Sequence, residues 1–130
     1  MKELQVAATK STPHVHFDPG TGLLLIKGQC YPENAYQFFE PLLSWLDEFL
    51  DQAEQHVQMS IQLHLPYMNT SSTKCFMILL EKLDESYRTG RGIQLLWYYD
   101  ADNESELECA EQFREDLSLP FELIPREEVE

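Results

Sequence analysis

The stretch from Val57 to Leu65 alternates apolar and polar side chains without exception. Apolar side chains occupy every odd position, and polar side chains occupy every even position. A period of two places successive side chains on opposite faces of an extended chain, so this stretch predicts a β-strand with one buried face. The rest of the chain must supply neighbouring strands and an apolar layer that covers this face.

Strands and helices alternate through the remainder of the chain. Apolar residues at helical spacing predict helices at 35–55, 71–87 and about 103–117. Apolar runs bounded by turn residues predict further strands at 4–8, 21–27, 93–99 and 120–124. Pro41 falls inside the first helix, where its missing N–H predicts a kink or a break. The run at 93–99 is nearly continuous, which is typical of a strand covered on both faces.

The predicted order of elements is β-β-α-β-α-β-α-β. Alternation of this kind builds a mixed or parallel sheet packed against helices, which is the α/β class. Because only three helices are predicted, we expect most of them to pack on one face of the sheet. The length of 130 residues is that of one domain with its own core. We therefore expect residues 1–130 to form a single domain.

Charge and hydropathy restrict the partners of such a domain. The net charge is −14, and the chain from Asp100 onwards has twelve carboxylates against two basic residues. Nucleic acids and anionic membranes bind surfaces rich in Lys and Arg, so we expect neither as a partner. No apolar stretch suits a membrane helix or a signal peptide, so we expect a cytoplasmic protein without membrane insertion. The acidic region is either a solvated surface or a docking surface for a basic partner, and both stay open.

Residues that could form disulfides or bind metals are present but unfavourably spaced. The three cysteines are Cys30, Cys75 and Cys109. They form no CxxC pair, so we expect free thiols. His14 and His16 lack a placed carboxylate partner. The acids between Asp100 and Glu108 lack the glycine and the distal glutamate of a calcium loop. We therefore expect no metal and no cofactor.

Four hydroxyl residues in a row, from Thr70 to Thr73, lie at the start of the second predicted helix. A helix N-terminus presents unpaired backbone N–H groups and a partial positive charge, so it stabilises an anion. A phosphoryl group would add about −1.5 to −2 charges there, which a partner fitted to the unmodified loop would have to desolvate. The position suits a phosphorylation switch, although Asn69 or Thr70 would serve equally well as a simple helix cap.

A strand followed by a hydroxyl and a helix is also the setting of a nucleophilic serine. The glycines of a nucleophile elbow are absent, and no glycine-rich phosphate loop occurs. His64 is the nearest candidate for a base, and the alternation of its strand places it on the solvated face. We therefore expect a protein that is not an enzyme. A small hydrolase that uses the hydroxyl cluster 70–72 is kept as an alternative.

Three short stretches resemble known regulatory proteins. They read Tyr-Pro-Glu-Asn at 31–34, Tyr-Met-Asn-Thr-Ser-Ser at 67–72, and Trp-Tyr-Tyr-Asp at 97–100. The middle stretch is similar to the phosphorylation site of the STAS domains of anti-sigma-factor antagonists, whose usual pattern is Asp-Ser-Ser-Gly. Here the amide Asn69 replaces the acid, Thr70 replaces the first serine, and the glycine is missing. Together, in this order, the stretches resemble the SiaC family of bacterial regulatory phosphoproteins, which have a STAS-like fold.

The resemblance to the SiaC family implies a phosphoacceptor at Thr70, with Ser71 and Ser72 as alternatives. It also implies a dedicated serine/threonine kinase and a PP2C-type phosphatase. The unphosphorylated form would bind and activate a diguanylate cyclase, in cyclic-di-GMP control of biofilm formation or aggregation. The expected partner-binding residues are Tyr31, Glu33, Asn34, Tyr67, Asn69, Thr70, Ser71 and Ser72. The alternative within regulation is an anti-sigma-factor antagonist in a partner-switching system.

Overall fold

Six strands form one sheet, and three helices pack on one of its faces. This architecture comes from a computed structural model that describes residues 1–127. The end of the predicted acidic region, with Glu128 and Glu130, lies outside the described residues. The elements are β1 (Leu4–Val6), β2 (His14–Asp18), β3 (Leu23–Lys27), α1 (Ala35–Gln52), β4 (Met59–His64), α2 (Thr70–Arg88), β5 (Ile93–Asp100), α3 (Glu104–Glu115) and β6 (Phe121–Arg126).

The strands lie in the sheet in the same order as in the chain. The first three strands pair antiparallel, whereas β3, β4, β5 and β6 pair parallel. Each parallel connection contains one helix, as a crossover between parallel neighbours requires. The carboxyl ends of the parallel strands and the amino ends of the helices that follow therefore meet at one edge. We call this region, residues 28–35, 65–71 and 100–104, the carboxyl edge.

Alternating apolar side chains form the covered face of the sheet. On β4, Met59, Ile61 and Leu63 are buried, which confirms the alternation seen in the sequence. The helices cover this face with aromatic side chains: the ring of Phe76 on α2 lies edge-on to Trp97 on β5, with centroids 5.7 Å apart. Each such buried side chain contributes about 1.5–3 kcal/mol to folding. The predicted mixed α/β sheet with its helices on one face is confirmed.

The structure adds one strand, β2, to the predicted order. Val15 and Phe17 point into the core, whereas His14 and His16 lie on the opposite face. A stretch of five residues with two histidines gives only a weak alternating signal, and this explains why the strand is missing from the predicted order.

The strand β5 is covered on one face only. Ile93, Leu95 and Trp97 face the helices, whereas Leu96 and Tyr98 are half-buried on the opposite face. The expectation that this strand is covered on both faces is therefore wrong. Its continuous apolar run instead places apolar side chains on the open face of the sheet.

The three helices are amphipathic and follow the predicted positions closely. Pro41 lies within α1 without ending it. The helix continues to Gln52 although Pro41 lacks a backbone N–H, so the expected break does not occur. None of the helices in residues 1–127 has both the length and the apolar character needed to cross a membrane.

A buried arginine closes the end of the molecule opposite the carboxyl edge. The guanidinium of Arg91, 2% exposed, donates to the carbonyl oxygens of Ala53, Glu54 and Val57, each at 3.0 Å. Its Nε donates to the Ser86 hydroxyl at 3.1 Å. Because the cation satisfies carbonyl groups that follow α1, it fixes the connection between α1 and β4.

Replacing this cation should destabilise the fold. Arg91→Leu is expected to lower the free energy of unfolding by about 2–4 kcal/mol, because three partly buried carbonyls lose a charged donor. Urea denaturation followed by circular dichroism measures the change. Arg114→Leu, on the exposed side of α3, is the control and should change stability by less than about 0.5 kcal/mol. Equal, small losses of stability in the two variants would contradict a stabilising role of the Arg91 hydrogen bonds.

Candidate functional site

The connection between β4 and α2 is tied to the connection between β3 and α1. The N–H of Cys30 donates to the carbonyl of Tyr67 at 2.9 Å, and the N–H of Asn69 donates to the carbonyl of Cys30 at 3.0 Å. The Asn69 side chain also donates from Nδ2 to the carbonyl of Pro32 at 3.2 Å. These bonds extend the parallel pairing beyond the strands, so the two connections form one continuous surface.

The structure assigns the cap of α2 to Asn69. Its Oδ1 accepts the N–H of Ser72 at 3.0 Å, and its carbonyl accepts the N–H of Thr73 at 3.0 Å. Thr70 and Ser71 are therefore the first two helical residues. Among the hydrogen bonds of residues 1–127, none uses the amide of Thr70 or of Ser71. Both amides are free to hold an anion at this helix start.

Only two of the four consecutive hydroxyl residues are exposed. Thr70 and Ser71 are exposed, and neither hydroxyl makes a hydrogen bond within the described part of the chain. The Thr73 hydroxyl donates to the carbonyl of Asn69 at 3.0 Å. Ser72 is completely buried. The expectation that Ser72 lines a contact surface or serves as an alternative phosphoacceptor is therefore corrected, because its hydroxyl faces the core.

Exposed aromatic side chains flank this helix start. The rings of Tyr31 and Tyr67 have centroids 6.1 Å apart, and both side chains are exposed. Tyr36, in the first turn of α1, is 72% exposed, and Ile78 lies further along α2. Exposed tyrosines are frequent in protein–protein interfaces. Tyr36 and Ile78 were not among the predicted contact residues, although an apolar residue on the polar side of an amphipathic helix is a usable signal.

The charged and polar residues predicted in the first connection also lie at the carboxyl edge. Glu33 and Asn34 are exposed, and Oδ1 of Asn34 accepts the N–H of Gln37 at 3.1 Å as the cap of α1. Of the eight predicted partner-binding residues, seven lie within the carboxyl edge, and Ser72, the next residue of α2, is buried. Lys74 is exposed one turn after Thr70.

A second polar group, His64, Asp100 and Glu106, lies at the same edge. His64 was expected on a solvated face, but its side chain is only 16% exposed, and carboxylate oxygens of Asp100 and Glu106 lie 3.8 and 3.7 Å from its Nε2. Burial lowers the pKa of His64, and burial also raises the pKa of Glu106. Oδ1 of Asn103 accepts the N–H of Glu106 at 3.2 Å, so Asn103 is the cap of α3.

The one-sided α/β sheet and the exposed hydroxyl at a helix start after a central strand define a STAS-like protein. A model of the SiaC family regulatory phosphoproteins matches residues 6–126, and the chain belongs to this family. The resemblance found in the sequence is confirmed.

Several Pseudomonas aeruginosa proteins are similar to the chain. It is 40% identical over 128 residues to an uncharacterised protein of strain UCBPP-PA14. The match covers 98% of this chain and 100% of that protein. Apo-SiaC shares 40% identity at a TM-score of 0.90 over 95% of this chain and 99% of that chain. The same values hold for SiaC in a crystal structure with the diguanylate cyclase SiaD, whose activator it is.

The double role of Asn69 can be tested by stability measurements. Asn69→Ala should lower the free energy of unfolding by about 1–2 kcal/mol, because it removes the helix cap and the bond to Pro32. Ser71→Ala is the matched control two positions further on, since its exposed hydroxyl makes no bond. Urea denaturation of both variants measures the difference. An Asn69→Ala variant as stable as Ser71→Ala would contradict the stabilising role proposed for the two Asn69 hydrogen bonds.

Proposed function

We propose that this chain is a phosphorylation-switched regulator that binds and activates a diguanylate cyclase when it is unmodified. The activity of the cyclase would serve cyclic-di-GMP control of biofilm formation or aggregation. One observation carries the proposal: the free, exposed hydroxyl of Thr70 lies at the start of α2, on the same edge as exposed tyrosines. The structure of P. aeruginosa SiaC with the cyclase that it activates supports the choice of effector.

Phosphorylation of Thr70 would leave the regulator folded and weaken its binding to the partner. Within the chain, the free amides of Thr70 and Ser71 and the partial positive charge of α2 stabilise a dianion. A partner seated over the same edge would have to remove water from that dianion. Leaving a buried charge unpaired costs about 2–5 kcal/mol at an interface. Such a cost weakens binding by a factor of about thirty to several thousand.

The switch needs one enzyme for each direction. A serine/threonine kinase would transfer a phosphoryl group to the Thr70 hydroxyl, and a PP2C-type phosphatase would remove it. Ser71 is equally exposed, and the choice of Thr70 rests on the resemblance to the SiaC family. We further propose that residues 1–130 act as one domain and that the protein works in the cytoplasm, where kinases find ATP.

An enzymatic role for the hydroxyls has less support. A nucleophilic hydroxyl needs an adjacent base within hydrogen-bond reach. Among residues 1–127, no histidine or carboxylate is hydrogen-bonded to the hydroxyl of Thr70 or Ser71. We therefore propose that the chain itself catalyses no reaction. An anti-sigma-factor antagonist remains the regulatory alternative. Affinity purification from native cells distinguishes the two functions, because a cyclase activator enriches a cyclase and an anti-sigma-factor antagonist enriches a sigma-factor regulator.

Charge substitution at the acceptor tests the switch. Thr70→Asp should weaken cyclase binding by about thirtyfold or more, because even one carboxylate must be desolvated at the contact. Thr70→Ala should bind as wild type and should no longer respond to the kinase. Isothermal titration calorimetry with the purified cyclase measures affinity, and cyclic-di-GMP formation measures activation.

Ser105→Asp is the matched control, since it adds the same charge at an exposed hydroxyl in the first turn of α3. It should leave cyclase binding within about twofold of wild type. Wild-type affinity in Thr70→Asp, or an equal loss in Ser105→Asp and Thr70→Asp, would contradict a switch centred on Thr70.

Phosphate mapping tests the acceptor itself. Protein purified from its native host should have a single phosphate on Thr70, and its level should change with growth condition. Intact mass and peptide fragmentation locate the group. If the protein has no phosphate in any condition, including after deletion of the phosphatase, Thr70 is only the first residue of a capped helix and the proposal fails.

A further inference from the structure

Three potential metal ligands converge where β4, β5 and α3 meet. The Nε2 atom of His64, the last residue of β4, lies 3.8 Å from Oδ1 of Asp100, the last residue of β5. The same Nε2 lies 3.7 Å from Oε1 of Glu106, in the first turn of α3. One nitrogen or oxygen atom from each of the three residues lies within 4.8 Å of the others.

Two of these atoms are buried and have no hydrogen-bond partner. The Glu106 side chain is completely buried, and its Oε1 is unpartnered, as is Nε2 of His64. Leaving a buried polar atom unpaired is destabilising, and the cost is larger for a charged group. Because Oε1 and Nε2 face each other across 3.7 Å, both would be satisfied by a cation placed between them.

The conformation of Glu106 points to the same use. A glutamate three residues after a helix cap usually turns back to the amide of the cap residue in a capping box. Here the amide of Asn103 donates instead to the carbonyl of Asp100 at 2.9 Å. Oε2 of Glu106 accepts the N–H of Asp100 at 3.3 Å, which leaves Oε1 directed at His64. The glutamate is therefore held in the cluster.

We propose that His64, Asp100 and Glu106 bind a divalent first-row transition-metal ion, with Zn²⁺ as its best representative. Ligands about 2.0–2.1 Å from a tetrahedral Zn²⁺ lie about 3.4 Å from one another. The observed separations of 3.7 and 3.8 Å exceed this value by only a few tenths of an ångström. One imidazole and two carboxylates leave the fourth position to water, which can enter past the partly exposed Asp100.

The donor set discriminates between classes of metal ion. Imidazole suits Zn²⁺ and its neighbours, whereas Mg²⁺ and Ca²⁺ prefer oxygen ligands alone and larger numbers of them. The expectation of no metal rested on local spacing, since the acids between Asp100 and Glu108 lack the pattern of a calcium loop and His14 and His16 lack a placed carboxylate partner. The proposed site instead uses His64 from a different strand, and only the parallel pairing of β4 and β5 brings it to Asp100.

Arg126 competes with the ion for this cluster. One of its guanidinium nitrogens, Nη1, lies 3.4 Å from Nδ1 of His64, and its backbone pairs with Asp100 in the sheet. The guanidinium repels a cation bound at Nε2. It also lies against Nδ1, the ring nitrogen whose N–H would donate to a neighbouring acceptor when Nε2 binds a metal. Since Arg126 is exposed, it can turn to solvent when the ion binds.

Zinc titration of the chelator-treated full chain, in competition with a chromogenic chelator, tests the proposal. The expected result is one Zn²⁺ per chain. His64→Gln and Glu106→Gln should each weaken Zn²⁺ binding by about tenfold to a hundredfold or more. Removing a residue that only hydrogen-bonds to a metal ligand already costs about this much affinity. Millimolar Mg²⁺ or Ca²⁺ should not displace Zn²⁺. Circular dichroism confirms that each variant is folded.

Two histidine controls separate this site from adventitious binding. His56 pairs with Glu54 at 3.2 Å on the exposed surface, and His16 pairs with Glu3 at 3.5 Å. His56→Gln and His16→Gln should keep the single Zn²⁺ at unchanged affinity. Absence of stoichiometric binding, loss of the ion in either control, or unchanged binding in His64→Gln would overturn the proposal. Displacement by Ca²⁺ would overturn the assignment to a transition metal.

Arg126→Gln supplies a test that does not remove a ligand. It should raise the affinity for Zn²⁺ by about three- to tenfold, because it removes a neighbouring positive charge. The Arg126→Gln variant also tests the site if His64→Gln fails to fold. Unchanged or lower affinity in Arg126→Gln would contradict the placement of the ion beside His64.

Discussion

The parallel hydrogen bonding of β4 to both β3 and β5 determines where the core and the carboxyl edge lie. It places Leu24, Ile61 and Leu95 side by side on one face, where the helices cover them. It also directs the ends of three strands and the starts of three helices to one edge. Residues that are far apart in the chain, such as Tyr31, Thr70 and Asp100, therefore lie in one region of the surface.

The carboxyl edge combines two opposite electrostatic features. The start of α2 has free amides and the positive end of a helix dipole, so it favours an added anion. The group around Glu106 holds two carboxylates in a partly buried setting, and one buried carboxylate oxygen has no hydrogen-bond partner, so it favours an added cation. His64 ends β4, and the short connection 65–69 leads from it to Thr70. Both features are thus consequences of the same strand, and each accepts a charge that the unmodified chain lacks.

Local patterns predicted most of the fold and the start of the functional helix. The alternation around Ile61 and the helical spacing around Phe76 survive in the structure because each reports burial on one side of one element. Contacts between distant elements were not predictable in this way. The burial of His64 depends on α3, and the guanidinium of Arg91 is surrounded by carbonyls from another connection. The burial of Ser72 follows from the exact start of α2, which Asn69 fixes through its bond to Pro32. Composition and spacing alone left Thr70 as either a cap or a switch, and only the family resemblance favoured the switch.

Hydrogen–deuterium exchange of this chain with and without the diguanylate cyclase locates the surface presented to the effector, which we propose to be the part of the carboxyl edge formed by residues 28–35 and 65–71. Amides in exposed connections exchange fast unless a partner covers them. We predict slower exchange in residues 28–37 and 65–74 on binding, and no slowing in these segments once Thr70 is phosphorylated. Protection confined to the open face of the sheet, with these two segments unchanged, would contradict this docking surface.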